Sequence, residues 1–171
     1  MSARKVSMKK LNKLQMQLHS VLVESEKTYL HFLHSVESLF EKEHVPSWVI
    51  NDYNSLIPSL QHSFKQCSSE LFHLDKQIST KGLLSSKKEL SKVISFFKKY
   101  NDAITHFYTK LTDNTHKLED KQVSLELQQL YNTLQQQLHH FENILLHTDN
   151  VITTTISKKT TTIQEKKKLT I

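Results

Sequence analysis

Gly82 is the only glycine in a chain of 171 residues, and there are two prolines, Pro46 and Pro58. Average usage would supply about 12 glycines and about 9 prolines. Hairpin turns, strand bulges and phosphate-cradling loops need glycine wherever φ turns positive. One glycine all but bars a β-sandwich, a dinucleotide-binding fold or a P-loop enzyme. What remains is an all-α protein. Apolar residues make up 37% of the chain and charged residues 23%, which is enough to bury a core and unlike a disordered composition. The length fits one domain.

The apolar residues recur at steps of three and four, the helical period. The first segment carries Leu11, Leu14, Leu18, Val21/Leu22, Tyr29, Phe32, Val36 and Leu39, with a gap at Ser25. It is expected to end at 41–45, because the residue before Pro46 is pushed out of the α region. The second carries Ile50, Tyr53, Ile57, Leu60, Phe64, Cys67, Leu71, Leu74 and Ile78. Pro58 interrupts it, so a short helix or a kink is expected there, with the main helix starting near Pro58. Gly82 stops it. The third runs Leu90, Val93, Phe97, Tyr100, Ile104, Phe107 and Leu111, and is broken at 112–115. The fourth runs Leu127, Tyr131, Leu134, Leu138, Phe141, Leu145, Ile152, Ile156 and Ile163, with a bend or a new helix expected at Asp149-Asn150. Segments of roughly 25–35 residues would be roughly 40–50 Å long. Short loops imply antiparallel neighbours. The expected fold is an elongated antiparallel helical bundle of long amphipathic helices over 11–157, with basic tails at 1–10 and 158–171, the second frayed by its threonines.

The net charge of +6 is unevenly placed. Residues 1–13 carry Arg4, Lys5, Lys9, Lys10 and Lys13 and no acid. Residues 158–171 carry Lys158, Lys159, Lys166, Lys167 and Lys168 against Glu165. The body between them is slightly acidic. A nucleic-acid-binding domain carries its basic stripe on the folded body, so no nucleic-acid partner is expected. The tails allow a weak contact with an anionic membrane, at about 1 kcal/mol per lysine near the surface, although a solvated tail is the plainer expectation. Cys67 is a lone cysteine, so there is no disulfide framework. Neither a signal core nor a membrane-length apolar run occurs. A cytoplasmic protein is expected, and Met1 suggests a natural start.

Little in the chain points to covalent chemistry. Glu70-Leu-Phe-His73 and Glu41-Lys-Glu-His44 have the Glu-x-x-His spacing of carboxylate-bridged di-metal bundles, but two further inward glutamates are needed. No histidine pair stands four apart among the eleven histidines, and flanking histidines are expected rather than a metal site. Cys67 lies on the core stripe and reads as a buried structural thiol. No Gly-x-Ser-x-Gly motif, phosphate loop or zinc spacing occurs. No cofactor and no catalytic residue are expected. Trp48 beside Pro46 offers a partner-binding anchor, with a plug at the end of the bundle as the preferred reading.

The stretch Leu22-Val23-Glu24-Ser25-Glu26-Lys27-Thr28-Tyr29-Leu30-His31-Phe32-Leu33 resembles the opening helix of a Dbl-homology domain, the exchange-factor domain that acts on Rho-family GTPases. That helix typically reads Leu-Leu-x-Thr/Ser-Glu-x-x-Tyr-Val-x-x-Leu. The resemblance spans about 10–160 and implies an elongated all-helical bundle. It also implies binding to the switch regions of a Rho-family small GTPase, so that the nucleotide-free state is stabilised and GDP leaves faster. On this resemblance Glu24 contacts the first switch. The family's late helix carries Gln-Arg-x-x-Arg/Lys-Tyr-Pro-Leu-Leu-Leu. Residues 136–145 can be laid on it: Gln136 matches, Gln137 replaces the first Arg, His140 the second base, Phe141 the Tyr and Glu142 the Pro. Asn150 takes the polar role that follows this helix. The charges of the late motif are lost here, so the resemblance implies either an exchange factor or an inactive relative. The alternative expectation is a helical scaffold or adaptor that binds another protein without exchange activity.

Overall fold

The computed structural model of the chain describes the backbone of residues 2–169 and the side chains of residues 8–157. The fold is an all-α bundle. Helix α1 (Ser2–Lys42), α2 (Ser47–Lys81), α3 (Lys87–Thr115) and α4 (Gln122–Leu169) follow one another, with one 3₁₀ turn at Leu84–Ser86 before α3. Each joins the next through a short turn, so neighbours run antiparallel. The helices close a ring in the order α1, α2, α3, α4 and back to α1; the α2–α3 pair packs most extensively and the α1–α2 pair least. The outer helices, at 41 and 48 residues, are about 60–70 Å long. They exceed the expected length because α1 begins at Ser2 and α4 runs to Leu169, so the helical backbone continues into the segments expected to be basic tails. The side chains of 1–7 and 158–171 lie outside the described residues.

The three/four stripes form the core. The whole third stripe, Leu90 to Leu111, is buried, and so are Leu127, Leu134, Leu138, Phe141, Leu145 and Ile152 of the fourth. An aromatic run ties α1, α2 and α3 together. Tyr29 stacks on Phe64 at 4.0 Å between ring centroids, Tyr100 meets Phe64 at 5.5 Å, and Phe107 meets both Phe32 and Tyr53 edge-on. Ser25, the gap in the first stripe, is itself buried, because its Oγ donates to the Leu22 carbonyl at 3.1 Å.

Several local expectations are corrected. Helix α2 passes through Pro58 without a break. Pro58 is exposed, so its ring sits on the solvent side of the helix and the core stripe on either side holds the segment together. Val49, not Ile50, opens the buried stripe of α2: Val49 is fully buried and Ile50 is 40% exposed, because the helix starts at Ser47 with Val49, Tyr53 and Leu60 in phase. Helix α3 continues through 112–115, with Thr112 and Thr115 buried; their hydroxyls donate to carbonyls one turn back, and Ser124 of α4 donates to Thr115 Oγ1 at 2.9 Å. Helix α4 has no break at Asp149-Asn150. Trp48 is 43% exposed and does not plug the bundle.

The turns explain where the helices stop. At the end of α1 the Val45 amide donates to the Phe40 carbonyl and the His44 amide to the Glu41 carbonyl, with His44 at φ +49°. This is a Schellman closure with histidine where glycine is usual. At the end of α2, Gly82 takes φ +86° and its amide donates to the Ile78 carbonyl at 2.9 Å. That left-handed φ favours glycine, and the turn returns buried Leu83 to the core.

Candidate functional site

Helices α1 and α4 face each other along their length. Lys42 pairs with Glu126 at 3.3 Å near one end. Further along, Ser20, Val21 and Glu24 of α1 meet Gln136, Gln137, His140, Phe141 and Ile144 of α4 around an open groove of about 340 Å³. The geometry follows from helical spacing. Residues 20 and 24 lie one turn apart, as do 136 and 140, and 140 and 144, so each helix offers one edge beside its core stripe. Buried Val21 and Phe141 form the floor, while Glu24, Gln136, Gln137 and His140 form an exposed rim.

Four of the five residues that the family resemblance implies therefore share one groove. Asn150 does not join them. It is exposed on α4, ten residues beyond His140 and about 15 Å farther along the axis. Glu24 also lies 3.8 Å from Lys27 on its own helix, with both side chains at least half exposed. Such a surface pair contributes little and leaves the carboxylate open to an incoming donor. The rim offers a carboxylate acceptor, two amides that both donate and accept, and an imidazole. The arrangement suits hydrogen-bonded docking of a polypeptide surface over a small apolar floor.

The same seam holds a second groove of about 320 Å³, lined by Ser35, Ser38, Leu39 and Lys42 of α1 and Glu126, Gln129, Leu130 and Thr133 of α4. Lys42 reaches both Glu43 and Glu126, while Glu126 Oε2 is buried without a partner. Sequence reasoning missed this part of the seam. The hydrophobic stripes give each helix its inner face but not the register between helices, and Lys42 and Glu126 are 84 positions apart.

The α3–α4 turn borders a groove of about 680 Å³ near His116, Asp120 and Lys121, but its charged groups bind the chain itself. Lys121 Nζ donates to the His116 and Leu118 carbonyls, and Asp120 accepts from the Gln122 amide. Between α1 and α2 lies an apolar groove of about 720 Å³ flanked by Val23, Leu30 and Phe72, with Phe72 64% exposed. Cys67 is buried, and burial, with the Glu70 charge adding to it, pushes its thiol up to about 12. Among the described residues no three histidine, cysteine or acidic side chains gather as metal ligands, and no helix is long and apolar enough to cross a membrane.

No protein-family model, no curated protein and no solved structure matches the chain.

Proposed function

We propose that the chain is a diverged Dbl-homology domain that docks the switch regions of a Rho-family small GTPase in the α1/α4 groove and promotes GDP release. The observation that supports it most is the convergence of Glu24 with Gln136, Gln137 and His140 on one rim, since these residues come from the two separate segments that resemble the family. No bond is made or broken. Glu24 accepts hydrogen bonds from switch backbone or hydroxyl groups, and the glutamine amides and His140 supply further partners. The groove favours the nucleotide-free form, and the weakening of GDP binding equals the difference in affinity between the two GTPase states. Asn150 stands outside this contact.

A charge-assisted hydrogen bond contributes about 1.5–3 kcal/mol, so Glu24→Ala is expected to weaken capture of a nucleotide-stripped GTPase by roughly ten- to a hundredfold. Its stability should stay within about 0.5 kcal/mol of the parent, as for other exposed changes. Pull-down of nucleotide-stripped and GDP-loaded GTPases by the parent and by the variant measures capture, and thermal unfolding of the two proteins measures stability. Equal capture of the two forms, or capture unaffected by Glu24→Ala, counts against the proposal.

A second reading, a helical adaptor without exchange activity, is favoured by the α1/α2 groove. Val23 and Leu30 stand seven residues apart on α1 opposite exposed Phe72, a spacing that suits an amphipathic helix from a partner. Capture of a partner that survives Glu24→Ala but is lost in Phe72→Ser would favour it.

A further inference from the structure

The antiparallel order carries the two basic segments of the chain to the same end of the molecule. The α2–α3 turn packs beside the first turns of α1, where Met8, Leu11, Asn12 and Gln15 meet Lys81, Gly82, Leu83, Leu84 and Ser85 around a groove of about 430 Å³. Helix α4 runs against α1, from Glu126 beside Lys42 to Ile144 near Ser20. Its last turns therefore arrive at the level where α1 begins. Three chain segments that are far apart in sequence thus form one pole.

That pole is strongly cationic. Lys9, Lys10 and Lys13 of α1 and Lys81, Lys87 and Lys88 around the α2–α3 turn are all exposed, and none takes part in the ion pairs found among the described residues. The sequence adds Arg4 and Lys5 to α1, and adds Lys158, Lys159, Lys166, Lys167 and Lys168 against Glu165 to α4. The acids nearest this end are part-buried: Asp149 lies on α4, Asp75 faces His19 at 3.3 Å, and Glu89 sits in the first turn of α3. The opposite pole is mixed. Its turns hold Glu43, Lys117, Glu119, Asp120 and Lys121, and Lys42 is paired with Glu43 and Glu126.

We propose that this pole docks end-on against a membrane surface rich in anionic lipid headgroups. Lysines drawn from three helices onto one end of the bundle suit a diffuse negative surface, where each adds to the attraction independently. Met8, 62% exposed beside Lys9 and Lys10, adds an apolar side chain that can enter the interface. A nucleic acid fits less well. Among the described residues of this pole the exposed cations are all lysine, with no exposed aromatic ring on which a base would stack.

The test is co-sedimentation of the full chain with vesicles of phosphatidylcholine alone and of phosphatidylcholine with phosphatidylserine, at low and at high salt. Binding is expected only to the phosphatidylserine vesicles and is expected to fall steeply with salt. At roughly fivefold per lysine, the Lys81→Gln/Lys87→Gln/Lys88→Gln variant should bind on the order of a hundredfold more weakly. Lys98→Gln/Lys99→Gln/Lys110→Gln removes the same charge from exposed positions in the middle and toward the far end of α3 and should bind like the parent. Circular dichroism checks that both variants remain helical. Equal binding to both vesicle types, or equal loss in the two variants, overturns the proposal. Tighter binding to a DNA or RNA duplex than to the anionic vesicles at matched salt also overturns it and assigns the pole to nucleic acid.

Discussion

Replacing Tyr100 by phenylalanine is expected to stabilise this protein. Tyr100 is 1% exposed, packed against Phe64, Phe97 and Tyr29, and its hydroxyl has no hydrogen-bond partner. A hydroxyl taken out of water and left unpaired costs about 1–3 kcal/mol. Removing one oxygen leaves a void smaller than a methyl group, which costs a few tenths of a kcal/mol at about 24 cal/mol per Å³. The net gain is about 1 kcal/mol, or about 2–4 °C in Tm for a chain of this size. Tyr53 is the internal control. It is also buried, but its hydroxyl donates to Glu37 Oε1 at 2.8 Å, so Tyr53→Phe is expected to destabilise by about 1 kcal/mol. Thermal unfolding followed by circular dichroism gives both values. A Tyr100→Phe variant that melts lower than the parent, or a Tyr53→Phe variant that melts higher, would refute the reasoning.

Three further outcomes follow from the core. Cys67, with its thiol pushed up to about 12 by burial, should resist a thiol-specific reagent near pH 8 in the native state and react in denaturant; native labelling at the rate of a free thiol would contradict this. Burial raises the phenol pKa values of Tyr29, Tyr53, Tyr100 and Tyr108 above their ordinary value of 10.0, with the Glu37 hydrogen bond adding to it at Tyr53. Folded values above the unfolded value mean that this stability is fully present below about pH 10 and is lost as pH climbs past it, so the urea midpoint should hold to about pH 9 and then fall; a midpoint that rises above pH 10 would contradict the burial. Pro58 lies inside α2 and supplies no amide to the helix, so Pro58→Ala should stabilise by about 1–3 kcal/mol; a loss of stability would mean that α2 is not continuous there.

Much of the bundle was legible because its cause is periodic. Leu90 to Leu111 repeat at steps of three and four, and that period alone places one face inward, so every member of the stripe is buried. The misjudged points are those where tertiary packing overrides a local rule. Pro58 should end a helix, yet Tyr53 before it and Leu60 and Phe64 after it are anchored in one core, and the stripe carries the helix across. Thr112 and Thr115 look like a break, but in a helix their hydroxyls bond to carbonyls one turn back. Trp48 reads as a plug at the end of the bundle, whereas Val49 takes the inward position in the first turn of α2.

The candidate site was legible in part. Glu24 and the 136–140 segment came from resemblance, and the antiparallel register brings them together. Asn150 lies farther along α4 than the groove, and its level against α1 cannot be judged without that register. The Lys42–Glu126 contact and the lysine pole share the same obstacle, since both depend on which turns of distant helices stand level.

The most direct measurement of the proposed activity is release of a fluorescent GDP analogue from a panel of Rho-family GTPases, with and without this protein. The expected result is faster release from at least one member, slowed again by Glu24→Ala. No acceleration on any member, with the protein folded and helical under the same conditions, would contradict the assignment of exchange activity to the α1/α4 groove.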